Sequence, residues 1–180
     1  MVRRLLENQY SDLDQSQREN LFLTRCKVLD NTCSLIVDSG SSCNCCSTRL
    51  DNKLALNTIP HPKPYKLQWI NEEGGIVVNQ QVNIPISIGK YKDEVLCDIV
   101  PLDASHILLG RPWHFDKKKT IHKGLTNKIS FHHLGKKIFL CPLSPSQVSE
   151  DQIKMKAKRE EEEKTKKKTK TKTKEKNSLE

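Results

Sequence analysis

At 180 residues, with 35 % hydrophobic side chains, the chain is long enough for one globular domain. Its formal net charge of +9 is local, because Lys154 to Lys176 holds twelve Lys or Arg against five Glu, while residues 1–153 hold nineteen basic against sixteen acidic side chains. No apolar run approaches a membrane span, and MVRRLLENQY has no apolar segment behind its arginines, so neither a membrane association nor a secretory signal is expected.

Residues 1–20 are polar and rich in Gln, Asp and Ser, as suits a leader or linker. Two apolar runs follow, LFLTRCKVL (21–29) and CSLIV (33–37), and Asp30-Asn31 between them predicts a hairpin turn. The second run leads into LIVDSGSS (35–42), in which one aspartate stands directly after three strand-forming residues. A carboxylate at the end of a buried strand is costly unless it is paired, hydrogen-bonded or used. Beyond it, Cys46, Leu50 and Leu54 recur at helical spacing and predict a short helix. The seven cysteines, an odd number, point to a reducing compartment, with the cytoplasm expected and the nucleus as the alternative. Cys43, Cys45 and Cys46 lack the paired spacing of a zinc site, so no metal and no cofactor is expected.

From Tyr65 onward the pattern is almost all strand. KLQWI and IVV flank Asn71, Glu72, Glu73, Gly74 and Gly75, a hairpin with two glycines at its tip. Val82, Ile84, Ile86 and Ile88 alternate with Asn83, Pro85 and Ser87, the period of a half-buried strand, and Pro85 places it at an edge or a bulge. Gly89 to Asp93 reads as a turn and EVLCDIV as a more deeply buried strand. ILLG is expected to stop at Arg111-Pro112, and KISFHH and KIFLC form a last pair of strands about Leu134-Gly135-Lys136. Trp69 and Trp113 are expected to pack, Cys33 and Cys97 to be buried, and His106, His132 and His133 to lie on the surface or in loops. These elements predict a mainly β, closed, barrel-like domain with one short helix over residues 21–143. Residues 144–180 form a basic Lys/Glu/Thr-rich tail with too little apolar surface to offset its ordering entropy, so a disordered run or a fraying helix is expected there.

A catalytic carboxylate works best beside a second one, because two like charges close together share one proton, and one group then takes a proton from water while the other donates. Only one such loop exists here. Asp103-Ala104-Ser105 has neither the glycine nor the strand before it. A dyad therefore requires two chains about a two-fold axis, each supplying Asp38.

LIVDSGSSCNCCSTRLDNKLAL, PYKLQWINEEGG, QVNIPISIGKYKDEVLCDIVP and HILLGRPWHFD, in this order and spacing, resemble the catalytic strand and helix, the flap strand and the closing strands of retropepsin-like aspartic proteases, in particular those of plant gypsy-type retrotransposons. The resemblance covers about residues 20 to 150. It implies a retropepsin-like closed barrel forming half of a homodimeric active site, with Asp38 catalytic, Ser39 in an inter-subunit hydrogen-bonded grip and Gly40 completing the triplet. It further implies that Leu108, Leu109 and Gly110 pack behind the loop, and that Asn71, Glu72, Glu73, Gly74 and Gly75 form a flap over an extended peptide or polyprotein substrate. The alternative function is an inactive retrotransposon remnant that dimerises or contacts nucleic acid weakly through its basic tail.

Overall fold

A computed structural model describes residue 17, residues 20–67 and residues 75–176, with side chains up to residue 161 and at Thr165. Strands β1 (Phe22–Val28) and β2 (Asn31–Val37) form an antiparallel hairpin running from Phe22↔Val37 to Val28↔Asn31. Its turn is Leu29-Asp30, one residue earlier than the sequence suggests. Both residues have positive φ, +44° and +64°, the type I′ geometry that matches hairpin twist. Asn31 joins β2 and supports the turn from its flank by donating from Nδ2 to the Leu29 carbonyl.

Strand β3 (Cys45–Ser47) feeds helix α1 (Thr48–Leu54). Ser47 caps the helix by accepting the Leu50 N–H at 3.2 Å, and Ala55 closes it in the left-handed conformation. Strand β4 (Thr58–Leu67) begins well before Tyr65, where the sequence pattern starts. Its three prolines hide it from a strand reading, yet β4 is the outer strand of its sheet and its register shifts between Pro60 and Tyr65, so the missing donors are tolerated.

Strand β5 (Ile76–Ile88) pairs with β6 (Tyr91–Val100) along eight positions. Val82, Ile84 and Ile86 are buried and Asn83 and Pro85 exposed, as the alternation predicts. Pro85 faces Glu94 of β6, while the other flank of β5 is unpaired between Val82 and Ser87, which makes the segment a local edge. The turn before β6 is only Gly89-Lys90, with Gly89 at φ +57°.

Strand β7 (Ile107–Leu109) is followed by helix α2 (Arg111–Asp116), where the sequence predicts an end to regular structure. Pro112 lies in the first turn of α2, where its absent N–H would have had no helical partner, so the proline starts this helix instead of ending an element. Strands β8 (Thr120–Lys123), β9 (Lys128–His133) and β10 (Lys136–Leu140) form a separate antiparallel sheet.

The larger sheet has the order β1-β2-β7-β3-β6-β5-β4, and the pairing Lys27↔Ser87 between β1 and β5 closes six of its strands into a barrel. Strand β2 is buried on both faces. Leu35 and Val37 join the main core with Val82, Ile84, Leu109 and Trp113, while Ile36 joins a second cluster with Val78, Val100 and Leu108. A strand buried on both faces reads as a continuous apolar run, which accounts for Leu35-Ile36-Val37. Trp113 anchors α2: its Nε1 donates to Tyr91 Oη at 3.0 Å, and Tyr91 Oη donates to Asp93 Oδ2, which also receives Lys117 Nζ.

The chain divides into two compact units at Pro145/Ser146. The second consists of helix α3 (Pro145–Lys176) from Ser146 onward. Of the two forms expected for the basic tail, the structure carries the helix. Its Lys, Glu, Arg, Met, Ala and Gln are good helix formers, and Glu160, Glu162 and Glu163 stand four residues before Lys164, Lys166 and Lys167. Among the described residues, no helix is long and apolar enough to cross a membrane.

Candidate active site

The parallel pairing of β2 with β7 sets Val37 beside Leu109 and brings two segments about seventy residues apart to the same level. Asp38 leaves β2 at that point, and its N–H donates to the Leu109 carbonyl at 2.9 Å. The chain then turns sharply: Ser41 N–H donates to the Asp38 carbonyl, and Gly40 N–H donates to Asp38 Oδ1 at 2.8 Å. That last bond is one a turn aspartate makes, and it holds the carboxylate in a fixed orientation. Asp38 is half-buried, and among the described residues its Oδ2 has no hydrogen-bond partner. Ser39 and Gly40 are exposed at the apex of the loop.

Gly110 closes the site from behind. A Cβ at this position would strike the carbonyl oxygens of Cys43 and Ser41, the latter at 2.8 Å. Its φ of −100° is open to any residue, so space alone requires glycine here. Arg111 N–H donates to the Ser41 carbonyl at 2.8 Å, which ties the start of α2 to the same loop. Leu109 and Gly110 thus lie against the loop that carries Asp38, and Leu108 pairs with Ile36 and Cys45 beside it.

Asn44, 5 % exposed, is the residue that sequence reading misses. Its Oδ1 accepts the N–H groups of Gly110 at 2.9 Å and Trp113 at 3.3 Å, its Nδ2 donates to the Leu96 carbonyl, and its own carbonyl accepts the Asp98 N–H. One side chain therefore joins the end of the loop that carries Asp38 to β6, β7 and α2. A polar residue between two cysteines carries no motif; only the fold gives it four partners.

Asp98 is a buried carboxylate held by side chains of the same chain. Tyr65 Oη donates to Oδ2 at 2.7 Å and Gln81 Nε2 to Oδ1 at 2.8 Å, with His61 Nε2 3.4 Å from Oδ1. Burial, followed by the hydrogen bond to Asp98, pushes the Tyr65 phenol up. Both oxygens of this carboxylate are engaged within the chain, by side chains of β4 and β5.

His106 is not a simple loop residue. Its Nδ1 accepts the Ser34 N–H at 3.0 Å and lies 2.7 Å from Ser34 Oγ, fastening the segment before β7 to β2. His114 in α2 is half-buried, with Nδ1 2.9 Å from Thr120 Oγ1 and a buried Nε2 that has no partner among the described residues. Burial lowers its pKa, His122 lowers it further, and the charge of Asp38 opposes both.

The hairpin strands β4 and β5 remain paired up to Leu67↔Ile76. Asn71, Glu72, Glu73 and Gly74, expected at the flap, lie outside the described residues. Gly75 is described and enters β5 at φ +62°, a left-handed conformation that favours glycine.

Residues 34–133, more than half of the chain, match the family model of the PEG10/RTL1 protease domain. Among solved structures, the chain is similar to the retroviral protease-like domain of Ddi1 from Leishmania major, at 12 % identity and a TM-score of 0.45, covering 67 % of this chain and 94 % of that one. It is also similar to the EIAV protease complexed with the inhibitor HBY-793, at 16 % identity and a TM-score of 0.39, covering 62 % and 97 %. No curated protein sequence gives a significant match.

Proposed function

We propose that this chain, which belongs to the PEG10/RTL1 protease-domain family, is one half of a homodimeric aspartic endopeptidase. The observation that carries the reading is the placement of Asp38: a strand buried on both faces delivers it half-exposed to a loop apex, oriented through Oδ1 and open at Oδ2. The chain holds one Asp-Ser-Gly loop after a strand, so the second acid comes from a second copy.

In the dimer the two Asp38 carboxylates share one proton, since two like charges a few ångströms apart do not both ionise. The ionised one takes a proton from water as that water attacks the scissile carbonyl. The protonated one donates to the carbonyl oxygen, and the resulting intermediate collapses as the amine leaves. No covalent intermediate forms. Ser39, exposed beside Asp38, reaches across the two-fold axis to grip the partner loop, and Gly40 leaves room for that approach. The β4–β5 hairpin covers the substrate, which binds extended and is held by main-chain hydrogen bonds. The substrate class is a polyprotein segment, and the order and spacing of the motifs support descent from a gypsy-type retrotransposon polyprotein.

Incubation of the purified chain with a broad peptide library between pH 4 and 7 tests this reading. Cleavage that is blocked by a statine-type inhibitor and absent in Asp38→Asn supports it, and a folded dimer that leaves the library intact overturns it.

A second reading assigns weak nucleic-acid contact to the basic helix. Lys154, Lys156 and Lys158 of α3 are exposed, and the twelve Lys or Arg between residues 154 and 176 would meet phosphates without regard to sequence. Binding of a random oligonucleotide that weakens at least tenfold between 50 and 200 mM salt, on the order expected for several phosphate contacts, and that is lost on deletion of residues 154–176, would support it. Equal binding by the deleted chain would remove it.

A further inference from the structure

The Cys43-Asn44-Cys45-Cys46 segment places its thiols on different sides. Cys46 Sγ is turned into the main core, whereas Cys45 belongs to the second cluster, and Cys43 packs against that same cluster. Cys43 and Cys45 therefore share a face, and their sulfur atoms are 3.3 Å apart, within hydrogen-bond distance. Cys43 is partly exposed and lines a surface cavity of about 420 Å³ with Ser42, Asn44, Asp98 and Trp113, so a small solute can reach it. Cys45 lies deeper, at 7 % exposed.

We infer that Cys43 and Cys45 form a peroxide-responsive dithiol that closes to an intramolecular disulfide at the end of the catalytic loop. The hydrogen bond from Cys45 pulls the Cys43 thiol down to about 6 against the opposing effect of burial, while the same bond and burial push Cys45 far up. Cys43 is the more exposed thiol with the lowered pKa and Cys45 the buried one, so Cys43 is the nucleophile and Cys45 the resolving thiol. Cys26, Cys33 and Cys46, by contrast, are pushed up by burial to about 12, 11 and 12.

The oxidant is hydrogen peroxide. Cys43 thiolate attacks one peroxide oxygen; an S–O bond forms, the O–O bond breaks, and the leaving hydroxide recovers from solvent the proton that the Cys43 thiol gave up on ionising, which yields one water and Cys43 sulfenic acid. Cys45 sulfur then attacks the sulfenic sulfur. The S–S bond forms, the S–O bond breaks, and the departing hydroxide combines with the Cys45 proton to give water. Two thiols are oxidised and one peroxide is reduced to two waters.

Closure brings the sulfurs from 3.3 Å to the bonded distance of about 2.05 Å and draws residue 43 toward β3. The Cys43 carbonyl accepts Ser41 Oγ at 2.9 Å and abuts Gly110, so the movement is passed directly to the loop behind Asp38. The site stands on the thiol geometry alone and does not depend on the chain cleaving peptides.

The test uses the reduced full-length chain, treated with a small molar excess of hydrogen peroxide, then denatured, alkylated with a maleimide and measured by intact mass and peptide mapping. The expected result is loss of two of the seven reactive thiols, mapped to a Cys43–Cys45 disulfide within one chain and restored by dithiothreitol. In Cys45→Ser the reaction stalls, and dimedone captures a sulfenic acid at Cys43. Retention of all seven thiols, a disulfide joining other cysteines or two chains, or a dimedone adduct located elsewhere would each overturn the inference.

Discussion

Asn44→Ala removes the acceptor for two buried N–H groups, those of Gly110 and Trp113, and leaves no side chain that reaches either. An orphaned buried donor costs about 1–3 kcal/mol, so the pair together costs about 2–6 kcal/mol. The third bond adds little, because Leu96 lies on an exposed part of β6 at 48 % exposure and water replaces the lost donor to its carbonyl. A loss of about 3–4 kcal/mol lowers the urea midpoint by roughly 1.5–2 M at a slope of about 2 kcal/mol per M. Equilibrium urea unfolding followed by tryptophan fluorescence reads this directly, since Trp113 sits on the bond being removed. Asn83→Ala is the matched control; its amide meets only Glu94 at the exposed surface, and its cost should stay within about 0.5 kcal/mol. If Asn44→Ala also falls within about 0.5 kcal/mol of the unsubstituted chain, the assignment of Asn44 as the joint between loop, β6 and α2 is wrong.

Gly110→Ala should destabilise by about 1–3 kcal/mol or more, because the added methyl meets two backbone carbonyls that cannot rotate away; a thermal midpoint equal to that of the native sequence would show that the loop has slack. Asp93 tests the anchor of α2 through pH. Burial opposes its ionisation, but the hydrogen bonds from Lys117 and Tyr91 and the Lys117 charge outweigh it and hold the carboxyl below its usual 3.8. A depressed folded pKa contributes stability above the unfolded value, near 3.9, that disappears as pH falls through the folded value. Asp93→Asn should therefore be less stable than the native chain at pH 7, with the gap narrowing below about pH 4 in urea titrations. A gap that does not change with pH would deny the ion pair its role.

The barrel strands were legible because their burial is regular. Val82, Ile84 and Ile86 alternate on one face, and Leu35-Ile36-Val37 is apolar on both. Asp38 and the Leu108-Leu109-Gly110 element were legible as a pair because their order and spacing carry a family resemblance, and the parallel β2–β7 pairing supplies the physical reason they belong together. What escaped depends on context rather than composition. Strand β4 is held by its place at the sheet margin despite three prolines, and α2 begins at the proline that was expected to end an element. Asn44 and His106 act through partners more than fifty residues away, which no local pattern encodes.

The proposed site, shared by two Asp38 carboxylates, would make activity a property of the dimer. Peptide hydrolysis measured against protein concentration, with the dimer fraction determined by sedimentation velocity in the same buffer, tests it most directly. The expected result is a specific activity that rises in proportion to the dimer fraction, is absent in Asp38→Asn, and falls when excess Asp38→Asn chain is mixed in to form heterodimers. Activity per chain that stays constant down to fully monomeric concentrations, or that survives in Asp38→Asn, would contradict it.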